Sequence, residues 1–172
     1  MRALSTTTAD GDSHGTADTQ LEFLMSSYGD ALHSFARTLT GDTDVAADCT
    51  QHAFLRAYEH LREGRAVNRA WLYTTARNAG LDWLRQRHRI AGDDHALRGL
   101  EMPPTGSPDR IVALRAALDR LSPEDREVLY LFTVDRFRAA EIGAMIGVGV
   151  DAVRMRLFRA RERLRALYGE CQ

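Results

Sequence analysis

Arg154, Arg156, Arg159, Arg161, Arg163 and Arg165 crowd one short stretch near the end of the chain, at spacings a helix would spread over its surface. From Arg136 to Arg165, eight arginines stand against Glu141, Asp151 and Glu162. That is a local charge of +5 in a chain of net charge −1. A guanidinium binds a phosphate or a guanine edge through two parallel hydrogen bonds, so the chemistry on offer is recognition of nucleic acid. A merely solvated face is the blander reading, because arginine is a good helix former. The residues in front of it weigh against that. Ile142, Ile146, Val148, Val153 and Leu157 fall where two crossed helices need apolar contacts. Gly143 is small where those helices would touch, and Gly147 sits where the chain must turn sharply. A helix-turn-helix with an arginine-loaded second helix is expected.

Other chemistries find little support. Asp93, Asp94 and Glu101 are acidic, but they lie in a Pro/Gly-rich stretch without a supporting histidine or glycine loop, so solvated charge is the better reading. Cys49 and His52 could share a helix face, yet two ligands do not make a zinc site, and Cys171 is far away. Cys49 is expected to be an ordinary buried residue. No metal, cofactor or enzymatic activity is expected. No run of about 18 apolar residues is present, and the opening MRALSTTTADGDSHGTADTQ has no apolar core of a signal peptide. These features predict a cytoplasmic protein without membrane insertion.

The elements that must position the arginines read as helices throughout. Leu21, Leu24, Tyr28, Leu32, Phe35 and Leu39 mark one face of a first helix, which TGDTD at Thr40–Asp44 interrupts. A second runs from about Val45 to Leu61. After the loop Arg62–Asn68, Asn68 can cap a third that reaches about Arg89. From Ala91 to Asp109 the periodicity stops, three of the four prolines appear, and the local charge is −3. Ser107-Pro108 and Ser122-Pro123 each place a capping hydroxyl before a proline at a first helical position. The fold class is therefore all-α: two small helical domains joined by a flexible linker, with a C-terminal helix-turn-helix. The expected bounds are a disordered arm at 1–19, a first domain at 20–90, a linker at 91–109 and a second domain at 110–172. Neither domain is large enough to bury a deep core alone, so partner binding is natural. Free of partners, the two are expected to move independently.

FARTLTGDTDVAADCTQHAFLRAYEHL, RAWLYTTARNAGLDWLRQRHR, a variable linker, LSPEDREVLYL and the helix-turn-helix come in an order that resembles the extracytoplasmic-function sigma factors of the sigma-70 family. The resemblance covers about Leu21 to Leu167. It implies a protein that binds core RNA polymerase, directs it to promoter DNA and is held in check by an anti-sigma factor. It implies that Asp48, Gln51, Phe54 and Leu55 contact the polymerase clamp. His52 departs from the family, which usually has an acid there. Asn78 would hold a flipped base of the −10 element, with Arg77, Arg85 and Tyr73 beside it. An amide offers both donor and acceptor to a base edge. Tyr73, Trp71 and Trp83 also read as core, since aromatics at helical spacing usually are. At the −35 element, Arg154, Met155, Phe158 and Arg159 would reach bases and Arg138 a phosphate, while Arg163 and Arg165 could touch only phosphate. Asp151-Ala152 stands where the family often has Gly-Thr. The competing reading is a stand-alone helix-turn-helix transcriptional regulator, which leaves the first domain's motifs without a purpose.

Overall fold

The computed structural model describes residues 10–91 and 108–170, and among these all regular structure is helical. Helix α1 spans Asp10–Thr40, α2 Thr43–Arg62 and α3 Arg69–Ala91. Helices α4 (Pro108–Asp119), α5 (Pro123–Thr133), α6 (Ala139–Ile146) and α7 (Val150–Glu170) form the second unit. The residues between α3 and α4, where the linker is expected, lie outside the described residues apart from its end positions.

Each boundary has a local cause. The Asp42 carboxylate accepts from the backbone of Asp44 at 2.9 Å and Val45 at 3.1 Å, so the TGDTD break doubles as the start of α2. Asn68 caps α3 as expected, its Oδ1 accepting from Trp71 N at 2.9 Å. Ser122 caps α5 through Asp125 N at 3.3 Å, with Pro123 behind it. The arm expected through residue 19 is helical from Asp10 onward. Within this stretch Ala17 is buried against the rest of the unit.

Leu24, Leu32 and Phe35 are buried on α1, facing Leu72, Tyr73 and Ala76 of α3 and Ala53, Phe54 and Ala57 of α2, and Leu39 is buried beside Gly80 of α3. In the second unit, Ile142, Val153 and Leu157 close the helix-turn-helix as predicted. Gly147 takes φ +76, the left-handed conformation that ends α6. Gly143 does allow a close approach: an added Cβ would lie 2.7 Å from the Val148 carbonyl oxygen. Val148 itself corrects an expectation. Its side chain is exposed, and it is its backbone that packs.

The two units do not stand apart. One apolar core runs through both, and α5 is buried from Asp125 to Leu131 without interruption. Tyr130 of α5 stacks near Phe35 of α1, with centroids 6.1 Å apart, and Phe35 in turn meets Tyr73 at 5.1 Å. In this arrangement the two domains expected from the sequence are packed against each other. Two units too small for deep cores of their own complete each other.

Candidate nucleic-acid interface

Helix α7 presents its apolar residues inward at Val153, Leu157 and Ala160. The intervening positions must then face out, and Arg154, Met155, Phe158 and Arg159 form one exposed patch. Met155 is 51 % exposed and Phe158 60 %, large apolar side chains that nothing among the described residues covers. Arg154 bonds Asp151 at 3.1 Å across one turn, both well exposed. Asp151 thus lies in the first turn, where a carboxylate suits the dipole, and holds the arginine loosely. Arg138 is exposed at the start of α6, its backbone N–H donating to Glu141 at 2.7 Å. Further along, Arg163 pairs with the Asp125 carboxylate and Arg165 with Glu162, so neither guanidinium is unengaged.

On α3 the predicted residues part company. Asn78 is exposed, and so is Arg85, which bonds Asp82 at 2.6 Å. Arg77 turns the other way. It donates through Nε and, at 3.3 Å, through Nη2 to the two carboxylate oxygens of Glu127 on α5. Tyr73 is fully buried between Phe35 and Phe137, so it faces no surface in this arrangement. The cause is the packing of the second unit onto α3, which no helical period could reveal. Trp71 and Trp83 are both half-buried, near His60 and beneath Arg87 respectively.

On α2, Asp48, Gln51 and Leu55 are exposed along one stripe. Phe54 is buried in the floor of an adjoining apolar groove of about 450 Å³, which Leu21, Met25 and Tyr58 also line. His52 is exposed beside the stripe. Cys49, on the opposite face, is a free buried thiol that burial, with Asp48 adding to it, pushes up to about 11. That is an inert core cysteine. No group of three or more metal-ligating side chains is present among the described residues. No helix there is long and apolar enough to cross a membrane.

Sequence reasoning missed Arg69, Glu127, Asp135 and Phe137, which join α3 to the second unit. Arg69 donates to the Asp135 carbonyl, reaches its carboxylate at 3.6 Å and lies 3.9 Å over the Phe137 ring. Burial pushes Asp135 up to about 6, outweighing the Tyr73 hydroxyl and Arg69, which both pull it down. Burial likewise raises Glu127 above the usual carboxylate range, against the hydrogen bond and charge of Arg77. One sequence signal pointed here: the unbroken apolar run Val128–Phe132 marks a helix covered all round, which needs more than its own small domain to cover it.

Residues 24–90 match the sigma-70 region 2 family and residues 111–164 match sigma-70 region 4. CarQ of Myxococcus xanthus, an RNA polymerase sigma factor, is 32% identical over 162 residues, 91% of this chain and 93% of CarQ. SigE of Mycolicibacterium smegmatis, an ECF RNA polymerase sigma factor, is 31% identical over 154 residues. That match takes in 83% of this chain but only 59% of SigE, so the chain spans less than two thirds of that relative. Among solved structures, the sigma factor RpoE of Bartonella quintana, in complex with the anti-sigma factor NepR, superposes with a TM-score of 0.70 at 28% identity. The match takes in 87% of this chain and 96% of RpoE.

Proposed function

The chain belongs to the extracytoplasmic-function RNA polymerase sigma factors, and from that premise we propose what its surfaces do. Helix α2 docks on the clamp of core RNA polymerase. The Phe54 groove and Leu55 supply apolar burial, and Asp48 and Gln51 set the register at its polar edge. Helix α3 engages the −10 element, with Asn78 holding a flipped base and Arg77 and Arg85 following the backbone. Helix α7 enters the major groove of the −35 element. There Arg154 and Arg159 bond base edges, Phe158 and Met155 pack on thymine methyl groups, and Arg138 takes a phosphate. The protein carries out no covalent chemistry; the polymerase does, in the cytoplasm. A protein anti-sigma factor that covers these faces would keep it silent.

The observation that carries this reading is the uncovered patch of arginine and large apolar residues on α7, on the same chain as an uncovered polar-apolar stripe on α2. A stand-alone regulator would need only the first. The test is in vitro transcription with core polymerase on fragmented genomic DNA. Start sites should share two upstream motifs at fixed spacing. Failure to co-purify with core polymerase, or starts without a common motif, would remove the assignment.

A further inference from the structure

Val153, Leu157 and Ala160 turn inward on α7, so the opposite side of that helix faces out. Asp151 begins that outward side. Arg154, Met155, Phe158 and Arg159 follow it at the spacing that keeps residues on one helix face. The patch of arginine and large apolar side chains therefore has a carboxylate at its N-terminal end. The Asp151 side chain is 93 % exposed and accepts a hydrogen bond from the Arg154 guanidinium at 3.1 Å. A recognition helix in a major groove reads base edges with its N-terminal residues. A carboxylate in that place is disfavoured on generic DNA, whose surface is anionic. It is favoured only where a base edge donates to it. The helix dipole welcomes a carboxylate anywhere in the first turn of α7, so the dipole does not explain its place on the face of Arg154 and Phe158.

We propose that Asp151 is a specificity-determining residue: Arg154 takes a guanine, and Asp151 accepts from the N4 amine of a cytosine in the neighbouring base pair. The inference rests on the −35 reading of α7 above and deepens it by naming the bases. A carboxylate accepts and does not donate. In the major groove guanine shows O6 and N7 and thymine shows O4, all acceptors that repel it. Adenine sets an amine beside the acceptor N7, whereas the cytosine amine stands without an acceptor on its own edge. Cytosine therefore suits Asp151 best. The carboxylate has about four acceptor sites, so the contact with Arg154 leaves room for an amine. Spacing selects the neighbouring pair. Three residues advance about 4.5 Å along a helix, against about 3.4 Å from one base to the next along a strand. The two side chains thus act as one unit, a donor fork and an acceptor held side by side on the outward face.

The experiment uses the full chain with core polymerase and a duplex promoter library randomised over the −35 element. Bound templates are sequenced for the wild type and for each variant. The wild type should select a guanine with a cytosine, on either strand, in the neighbouring base pair. Asp151→Ala should keep the guanine and lose a preference of about tenfold for the cytosine. Asp151→Asn keeps the size of the side chain and removes its charge. Its amide both donates and accepts, so that position should move from cytosine to adenine. Glu162→Ala is the control for charge, since it removes a carboxylate from the same face about three turns further on, where it bonds Arg165. It should leave the selected motif unchanged. The same motif for Asp151→Ala as for the wild type overturns the proposal. So does an Asp151→Ala variant that changes binding to all sequences alike, or a Glu162→Ala variant that alters the cytosine position. A wild-type chain that selects no −35 motif removes the reading of α7 itself, and the proposal with it. A motif indifferent to Asp151 removes the proposal alone.

Discussion

Asn78 and Arg77 are neighbours on α3, about 100° apart around the helix, and that angle separates an exposed amide from a guanidinium turned into the second unit. The motif that contains them was legible in the sequence. Which of the two faces out was not, because it depends on α5, which comes from the far side of the linker. The same holds for Tyr73, whose ring supports the core in the closed chain whatever it does on DNA. Asn78→Ala removes one exposed amide on which no packing depends. It should impair opening of the −10 region while leaving core-polymerase binding and −35 duplex binding intact. Normal transcription from duplex promoters would take Asn78 out of the site. On α7, Arg154 and Phe158 lie four residues apart on the same exposed face, and the Asp151 contact is too exposed to hold the arginine back. Arg154→Ala should therefore cost roughly 1–3 kcal/mol on a matched −35 duplex and much less on a scrambled one. Equal losses on the two duplexes would mean that this face does not read bases.

At the scale of elements, periodicity located every helix, and cap residues located the starts of α3 and α5. It stopped short at the arm. The sequence from Asp10 to Gln20 is polar and carries no apolar face, and its helicity follows from continuing α1 and burying Ala17. The turn between α6 and α7 was the most readable piece, because two glycines there have geometric duties. A methyl at Gly143 would collide with the Val148 backbone oxygen, which cannot swing aside as a side chain can. Alanine's better helix propensity gains about 1 kcal/mol, whereas overpacking against backbone costs roughly 1–3 kcal/mol. Gly143→Ala should come out destabilising. Gly147→Ala meets no neighbour, but it must hold φ +76, at a cost of roughly 1 kcal/mol. Urea midpoints of both variants check this. A Gly143→Ala variant as stable as wild type would mean that the two helices can separate without loss.

For the whole molecule, the packing of one unit on the other has a reason already visible in their size. Each leaves apolar surface that the other covers, and α5, with its run of buried positions, sits between them. The same burial makes the closed chain sensitive to pH. Asp135 faces Arg69 and Tyr73 from α3 and lies near Tyr130 of α5, yet burial dominates and lifts it to about 6. Glu127 faces Arg77 of α3, Glu124 of its own helix and Arg156 of α7, and it too is raised, chiefly by burial. A carboxyl whose value is higher in the closed form binds its proton more tightly there. Its contribution to closure is complete below the ordinary carboxylate range and is lost as pH rises through the raised value. Acid should therefore close the chain, not open it, even though two ion pairs lie in the interface. For Asp135 alone, the difference between pH 7.5 and pH 5 is roughly 1 kcal/mol in favour of closure at the lower pH. Scattering and urea unfolding across that range should show a tighter and more stable chain toward pH 5. A chain that expands on acidification would show that the Coulomb attraction of Arg69 and Arg77 outweighs the cost of burying the carboxylates they meet.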